Sequence, residues 1–241
     1  MQKTLRILPL RLIAYSDKSS ILTAFSREMG AISFVVPSGK GPAAARRRAL
    51  LAPLTPLEVE ATVKPGKDVH TFHDPRPLLA LHCVQTDPVR VALVMFLSEV
   101  LQPILRQSDG DAQVFDFIVE AITLLNEEST ATANFHLAFL IGLASVLGIA
   151  PDAGSYQPGR VFDMVDACFR QSAALHGRTL MPEESVVAER LLRMTWGNMA
   201  CYRFSSSQRA KALNFILEYY TLHYANLSSL KSLDVLHDLF A

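Results

Sequence analysis

The spacing of apolar residues changes once along the chain, near residue 75. Before that point, short apolar runs are separated by turn residues, which is typical of antiparallel β-strands. These runs predict five strands, at Leu5–Ala14, Ile21–Arg27, Ala31–Val36, Leu57–Val63 and Val69–Asp74. In the fourth run, apolar residues alternate with glutamates and a threonine, as in a strand with one buried face. Five short strands in about 75 residues favour a small closed barrel of the OB type over a sandwich, which needs about seven.

From Pro75 onward the apolar spacing is helical. Asp87 before Pro88 supplies a capping carboxylate and a proline at the first helical position, so a long helix is expected to begin there. The spacing predicts helices at Val89–Arg106, Ala112–Glu128, Thr130–Leu147, Arg160–Ala174, Glu183–Cys201, Ser207–Tyr224 and Ser229–Phe240. Pro103 is expected to kink or end the first of them, and Gly148–Gly159 to form a loop.

The two patterns together predict an α+β protein of two domains. Residues 1–76 are expected to form a five-stranded OB-type barrel that binds DNA, and residues 77–241 an all-α helical domain for protein interactions. Half of the 241 residues are apolar, which excludes a disordered chain, and three cysteines are too few for a disulfide-stapled module.

Cysteine usage and the N-terminal sequence bear on the compartment. Cys83, Cys168 and Cys201 are widely spaced and are expected to be reduced, buried thiols. Cations interrupt every apolar stretch near the N-terminus, so we expect no secretory signal and a cytoplasmic protein. The apolar run Phe135–Ala150 is shorter than a membrane-spanning helix, so it is expected to be a core helix.

The formal net charge of zero conceals two oppositely charged parts. Residues 1–80 carry twelve Lys and Arg against six Asp and Glu, which is a net charge of +6. Residues 81–241 carry eleven Lys and Arg against seventeen Asp and Glu, which is a net charge of −6. Because a nucleic acid responds to the local field of a module, this asymmetry predicts a nucleic-acid contact in the N-terminal part.

The most cationic stretch lies between the third and fourth predicted strands. Lys40 follows a glycine there, and Arg46, Arg47 and Arg48 follow a run of alanines. Long cationic side chains on a flexible, glycine-bearing loop suit the phosphates of a nucleic acid. The alternative is a solvated loop whose charges only aid solubility. Arg6, Arg11, Lys18 and Arg27 extend the candidate DNA-binding path. Tyr15, Phe25 and Phe34 are either stacking faces for a base or barrel core.

Candidate metal ligands and catalytic motifs are few. His70, His73, His82 and Cys83 do not form the two close-spaced ligand pairs of a structural zinc site, so surface imidazoles and a buried thiol are the alternative. Lys40 is followed by Gly41 and Pro42, which does not match a nucleotide-binding P-loop. No nucleophile elbow is present. The sequence therefore predicts no catalytic residues, no metal and no cofactor.

A helix near the C-terminus carries both cations and aromatic residues. Arg209, Lys211 and His223 share it with Phe215, Ile216, Tyr219 and Tyr220. A cationic rim beside an aromatic groove would suit an acidic, apolar peptide, and Arg209, Lys211, Tyr220 and His223 are the candidate contacts. Ordinary core packing with a solvated basic face is the alternative.

Several ordered segments resemble the RecO family of bacterial recombination mediators. At the N-terminal end they are Arg6–Arg11, Tyr15–Leu22, Arg27–Gly30, Pro37–Lys40 and Leu54–Leu57, and near the other end Asn226–Leu233. The resemblance covers essentially the whole chain. It implies an OB fold followed by a helical domain and binding of single- and double-stranded DNA. It also implies strand annealing, loading of RecA with RecR, and docking on the acidic tail of single-stranded-DNA-binding protein.

Two departures from the family pattern change these expectations. Many members carry a four-cysteine zinc site in the helical domain, but the matching region here, Leu147–Pro182, has only Cys168. We therefore expect packing around Phe162, Val165 and Phe169 in place of zinc. Some relatives carry arginines just before the helix that matches Phe135–Gly148, where this chain has Ala133 and Asn134.

Two classes of function remain open on the sequence. The first is a non-enzymatic mediator that binds and anneals DNA, favoured by the basic N-terminal region and the charge asymmetry. The second is a helical adaptor that binds only proteins, with the barrel as a packing module.

Overall fold

The structure, a computed structural model, describes residues 1–239 of the chain. It divides into two compact units, Met1–Thr130 and Ala131–Ala241, which we call the barrel unit and the helical unit. The barrel unit includes helices that follow the last barrel strand. The change from strands to helices and the boundary between compact units therefore fall at different places in the chain.

Five strands form a closed barrel in the barrel unit. They are β1 (Gln2–Ser16), β2 (Ser19–Ser26), β3 (Gly30–Pro37), β4 (Leu57–Thr62) and β5 (Val69–Pro77), in the order β1-β2-β3-β5-β4. Neighbours are antiparallel except β3 and β5, whose parallel pairing closes the barrel. This architecture confirms the five predicted strands and the OB-type barrel.

The barrel core follows from the alternation of side chains along the strands. Ile32, Phe34 and Val36 of β3 point inward, with exposed or partly exposed residues between them. Together with apolar residues of β1, β2 and β4 they form one buried cluster. Strand β1 has register shifts between Pro9 and Arg11 and beyond Ala14, as expected for a long strand that bends around a small barrel.

The segment between β3 and β4 contains a helix, α1 (Pro42–Leu50), rather than a flexible loop throughout. Pro42 occupies the first turn, where its missing N–H costs nothing, and alanine and arginine are strong helix formers. The prediction that Arg46, Arg47 and Arg48 lie on a flexible loop is therefore wrong, although Lys40 does precede the helix in a loop.

Three further helices complete the barrel unit: α2 (His82–Thr86), α3 (Pro88–Leu105) and α4 (Ala112–Leu125). The predicted cap of α3 is confirmed, because the Asp87 carboxylate accepts hydrogen bonds from the N–H groups of Val89 and Arg90, at 2.8 and 3.4 Å. Pro103 lies inside α3, which ends two residues later. By length and composition α3 could cross a membrane, but ten of its residues are buried, as in a core helix.

The turn between β2 and β3 makes a close backbone contact with the loop between α3 and α4. The N–H of Ala31 donates to the carbonyl oxygen of Ser108 at 3.0 Å. A Cβ atom on Gly30 would lie 2.0 Å from that oxygen, and one on Gly110 would lie 2.5 Å from the carbonyl of Glu28. Only glycines allow the two segments to approach this closely.

The helical unit combines helices with a small sheet. Its helices are α5 (Phe135–Val146), α6 (Pro182–Leu192), α7 (Ser206–His223) and α8 (Ser232–Leu239), and its strands are β6 (Val161–Asp163), β7 (Cys168–Arg170) and β8 (Thr179–Leu180), ordered β7-β6-β8. The predicted helix at Arg160–Ala174 and the expectation of an all-α domain are wrong, because this segment forms β6 and β7. Phe240, the predicted end of the last helix, lies outside the described residues.

Aromatic packing holds the small sheet against α7. Phe162 and Phe169 are buried with their rings 4.9 Å apart, and Tyr219 of α7 belongs to the same cluster. Val165, which we expected in this cluster, lies between β6 and β7 with 42% of its surface exposed. The packing prediction is therefore confirmed for the two phenylalanines and wrong for the valine.

Candidate nucleic-acid interface

Backbone contacts bring two of the predicted cations to one end of the barrel. Lys18 lies in the turn that joins β1 to β2, and its carbonyl oxygen accepts a hydrogen bond from the N–H of Ser38 at 2.8 Å. The hydroxyl groups of Ser20 and Ser38 are also 2.8 Å apart. Because Ser38 is two residues before Lys40, the loop that carries Lys40 leaves the barrel beside the Lys18 turn.

Helix α1 adds its arginines to the same end. The Arg48 guanidinium donates to the carbonyl oxygen of Gly39 at 3.4 Å, and Nη2 of Arg47 lies 3.9 Å from where a Cβ on that glycine would be. Arg46 and Arg48 are exposed and Arg47 is half-buried. We call Lys18, Lys40, Arg46, Arg47 and Arg48 the cationic end.

Contacts with the barrel fix the far end of α1. Leu51, the residue after α1, is buried in the barrel core, and the N–H of Leu54 donates to the carbonyl oxygen of Pro9 at 2.8 Å. The arginines are thus carried by a helix that is packed at its C-terminal end. This gives them a fixed spacing that a flexible loop would not provide.

The remaining candidates of the barrel unit lie elsewhere. Arg11 is exposed on the outer wall of β1, and Tyr15 is 74% exposed further along that strand. Phe25 and Phe34 have no exposed surface, so their candidacy as stacking faces for a base is wrong. Phe34 points into the barrel core, whereas Phe25 lies on the outer face of β2 and packs against Phe115 of α4, with the ring centroids 6.3 Å apart.

Arg27 is bound within the barrel unit. Its Nε and Nη2 donate to the two carboxylate oxygens of Asp116 on α4, both at 2.8 Å. These hydrogen bonds raise the pKa of Arg27 and lower that of Asp116. Arg27 also lies at the opposite end of β2 from Lys18, so the structure does not bring it to the cationic end. Nothing local in the sequence marks Asp116 as its partner.

The histidines weighed as metal ligands are dispersed in the barrel unit. His70 is buried and its Nδ1 accepts from the N–H of Lys64 at 3.4 Å, whereas exposed His73 contacts the carboxylate of Asp74. Among the residues whose side chains the structure describes, which leaves out 234 and 237–241, no group of three or more His, Cys, Asp or Glu side chains could hold a metal ion.

The predicted partner-binding residues of the helical unit differ in accessibility. Lys211 is exposed on α7. Arg209 is half-buried and donates to the side-chain oxygen of Asn134 at 3.3 Å and to the carbonyl oxygen of Phe204 at 3.1 Å. Burial lowers the pKa of Arg209. Asn134 is itself fixed by donating to the carbonyl oxygens of Met199 and Tyr202.

Of the other two candidates, Tyr220 is buried and His223 is half-buried. Tyr220 has no exposed surface, and its hydroxyl donates to the carbonyl oxygen of Leu140 at 2.7 Å. The prediction that Tyr220 contacts a partner at the surface is therefore wrong, because its side chain lies in the core. Nε2 of His223 lies 2.6 Å from the carbonyl oxygen of Met164.

A small apolar pocket lies beside these residues in the helical unit. Its lining comes from α5, α6 and α7 and the loop after α5, and includes Leu140, Ile141, Ala144, Pro151, Leu192, Phe215, Ile216, Tyr219 and Tyr220. Burial raises the pKa of Tyr219 to about 12. The pocket is thus lined by neutral side chains.

Family models match the chain in two consecutive parts. The model described as Recombination protein O N terminal matches residues 1–78, and the one described as Recombination protein O C terminal matches residues 85–234. The chain belongs to the RecO family. This confirms the resemblance inferred from the ordered segments.

Relatives named DNA repair protein RecO are similar over the whole chain. The one from Porphyromonas gingivalis is 38% identical over 241 residues, which is 98% of each chain. The one from Phocaeicola vulgatus is 33% identical over 241 residues and covers both chains fully. The one from Flavobacterium psychrophilum is 26% identical over 242 residues, again across both chains. The chain is therefore a member of a family of DNA repair proteins.

In this member of the RecO family, a buried carboxylate organises the region from β6 to β8. Asp163 has no exposed side-chain surface and accepts from the N–H groups of Val165 and Asp166, at 2.9 and 3.1 Å. Nε2 of His176 lies 3.2 Å from one of its oxygens, and Nε of Arg170 lies 3.5 Å from the other. Burial alone would raise the pKa of Asp163, but these hydrogen bonds and His176 outweigh it and lower the pKa.

The three cysteines of this RecO-family chain are free. Cys83 and Cys168 are half-buried and Cys201 is exposed. The expectation that all three are buried is therefore wrong. Cys201 is exposed in a short helical turn after α6, at a position the sequence assigned to a longer helix.

Proposed function

We propose that this RecO-family protein is a non-enzymatic mediator of recombinational DNA repair in the cytoplasm, associated with the nucleoid. It binds single- and double-stranded DNA and anneals strands. With RecR it helps to load RecA onto DNA coated by single-stranded-DNA-binding protein. The observation that carries the proposal is the cationic end, where five cations from one turn, one loop and one helix lie at the same end of the barrel.

The chemistry of the cationic end suits a phosphate backbone. Lys40, Arg46 and Arg48 are exposed and have long side chains that reach phosphate oxygens without base recognition. Gly39 and Gly41 carry no side chains that would hinder the approach of a strand to the loop. Phosphate contacts release counterions, so a barrel unit of this kind binds DNA with a marked salt dependence and little sequence preference.

The helical unit supports the proposed contact with the acidic tail of single-stranded-DNA-binding protein. Lys211 offers an exposed ammonium group on α7, and half-buried Arg209 lies on the same helix. Phe215, Ile216 and Tyr219 of the same helix line the small apolar pocket, and we propose that the apolar end of the tail lies against this part of α7. We propose Arg209 and Lys211 as the tail-binding cations.

The DNA-binding proposal is tested by comparing two variants of the full chain with equal changes in net charge. The test variant replaces Lys40, Arg46, Arg47 and Arg48 by glutamine, and the control replaces Lys3, Lys64, Lys67 and Arg76 by glutamine. We expect the parent and the control to bind a labelled oligonucleotide similarly, and the test variant to bind far more weakly. Equal losses in both variants would mean that only the total charge matters.

A parent chain that binds no DNA at all would favour the adaptor that contacts only proteins. In that case a RecR-binding assay on the same variants should show no effect of the cationic end.

A further inference from the structure

Helix α3 is apolar on its solvent side as well as on its core side. Its 18 residues have a mean hydropathy of 1.5. Val91 and Met95, one turn apart, are 40% and 52% exposed, Pro88 is also exposed and Ala92 is half-buried. A helix that is apolar all round is normally covered on every side, whereas a helix at a protein surface carries polar residues outside. We call Pro88, Val91, Ala92 and Met95 the α3 face.

Acidic side chains of α4 border the α3 face at its N-terminal end. Arg90, next to Val91 in sequence, is buried and donates to the backbone carbonyl oxygens of Leu125, Glu127 and Glu128. These hydrogen bonds hold the end of α4 beside the first turn of α3. The side chains of Glu127 and Glu128 are exposed there. The apolar face therefore has a negatively charged edge.

The other charges around the α3 face do not cancel this edge. The Arg90 guanidinium is paired with Asp87, whose carboxylate lies 3.2 Å from its Nε. Glu99 lies on α3 one turn beyond the face, and the next cation along the chain is Arg106, just past the end of the helix. Residues 107–159 contain seven Asp and Glu and no Lys or Arg. The surroundings of the face are thus acidic.

We propose that the α3 face docks a cationic amphipathic helix of a partner protein. The apolar side of such a helix covers Val91 and Met95, and its Lys and Arg side chains meet the carboxylates of Glu127 and Glu128. A contact around two exposed side chains is small, so the complex is transient rather than obligate. The inference goes beyond the proposed function, because this partner is neither DNA nor an acidic tail.

Charge decides among the possible occupants of the α3 face. DNA, the acidic tail of single-stranded-DNA-binding protein and a membrane surface rich in anionic lipids are all negatively charged, so the bordering carboxylates repel them. A second copy of this chain, docked through the same face in a two-fold dimer, would bring the same carboxylates together. A cationic segment is the occupant that gains from both the apolar face and its acidic edge.

The test uses the full chain and two labelled amphipathic helical peptides, one of leucine and lysine and one of leucine and glutamate. We expect the parent to bind the first and not the second. The variant Val91→Gln, Met95→Gln keeps a good helix former at both positions and should bind the first peptide roughly fivefold more weakly. The control Leu175→Gln, Val186→Gln changes two exposed apolar residues of the helical unit and should bind like the parent.

A second variant, Glu127→Gln, Glu128→Gln, tests the acidic edge. It keeps the backbone carbonyl groups that hold Arg90, so the fold is preserved, and it should weaken binding and reduce its salt dependence. DNA affinity should stay at the parent level in the Val91→Gln, Met95→Gln variant, which separates this inference from the proposed function.

Several results would overturn the inference. They are a parent that binds neither peptide, equal binding of the two peptides, and a Val91→Gln, Met95→Gln variant that binds like the parent. Sedimentation of the parent in the absence of peptide gives a further check. A dimer that this variant abolishes would identify a second copy as the occupant and would contradict the cationic partner.

Discussion

Arg27 and Asp116 form a two-bond ion pair between the β2–β3 turn and helix α4. Each of the two N···O distances is 2.8 Å, and 89 residues separate the partners in sequence. Arg27 lies in the turn that leads to Gly30, whose backbone contacts the loop before α4. A cation that the sequence suggested for DNA binding thus joins the barrel to the helices of its own unit.

Replacing Arg27 by alanine should lower thermal stability and leave DNA affinity nearly unchanged. The guanidinium already has a carboxylate partner, so its loss removes little attraction for phosphate. Circular dichroism melting and oligonucleotide titration of the same preparation measure the two effects. Arg48→Ala is the matched control, with the opposite pattern expected. A large loss of DNA affinity in the Arg27→Ala variant would show that Arg27 contacts DNA after all.

Replacing Gly30 by alanine should destabilise the barrel unit by about 2–4 kcal/mol, because a left-handed backbone and a backbone clash act together. Its φ is +71°, and the new Cβ would lie 2.0 Å from the Ser108 carbonyl oxygen. Gly66→Ala is the control: its φ is +69° but nothing lies within 4 Å. The control should cost only about 1 kcal/mol in denaturant unfolding. Equal costs would mean that the close approach is unimportant.

The barrel could be predicted from the sequence because its signals are local. Turn residues bound each strand, and alternation marks which side chains, such as Phe34, face the core. Local signals led to a wrong prediction for α1, because the glycines near Lys40 suggested that the whole segment between β3 and β4 is a loop. The proline at the start of α1 and the alanine and arginine residues after it were the signal that could have found it.

Other features could not be predicted because their signals are not local. Strands β6, β7 and β8 have two or three residues each, too few to establish a period, so the helical spacing of Phe162 and Phe169 was misleading. Tyr220 shares a helix with exposed cations, and only the packing of α5 against α7 decides that it is buried. The partner of Arg27 depends on the tertiary fold in the same way.

The Asp163 cluster predicts acid sensitivity of the helical unit. The pKa of Asp163 is lowered in the folded state. The ionised carboxylate therefore stabilises the fold fully above the ordinary aspartate pKa of about 3.9, and this stabilisation is lost as the pH falls through the pKa that Asp163 has in the folded protein. Asp163→Ala should cost about 2–4 kcal/mol at neutral pH, because it leaves buried donors without an acceptor.

The single tryptophan, Trp196, reports on this unit because its ring is stacked on Phe135 at 5.0 Å. Its fluorescence should follow unfolding at pH 7 and pH 3 in the parent and in the Asp163→Ala variant. Asp166→Ala, which removes a half-exposed carboxylate from the same cluster, is the control and should change stability little. If the variant at Asp163 melts like the parent at both pH values, the cluster does not organise the unit.

Lys211→Glu should weaken binding of an acidic tail peptide of single-stranded-DNA-binding protein. The exposed ammonium group is removed and a repelling charge takes its place, whereas the core packing of α7 is untouched. Lys231→Glu makes the same charge change outside α7 and should have less effect. Fluorescence anisotropy of a labelled peptide gives both affinities. Arg209 is less suitable for charge reversal because it also holds Asn134. Equal weakening by the two changes would exclude α7 as the docking helix.

The salt dependence of single-strand binding tests the central claim most directly, because it counts the phosphates that the cationic end neutralises. The slope of log K against log salt falls by roughly 0.7 for each phosphate of a single strand that the protein no longer neutralises. Replacing Lys40, Arg46, Arg47 and Arg48 by glutamine should therefore flatten the slope by up to about 2.8 relative to the parent. The variant with Lys3, Lys64, Lys67 and Arg76 replaced should keep the parent slope. A slope that is unchanged when the four cationic-end residues are replaced would contradict DNA binding at this site.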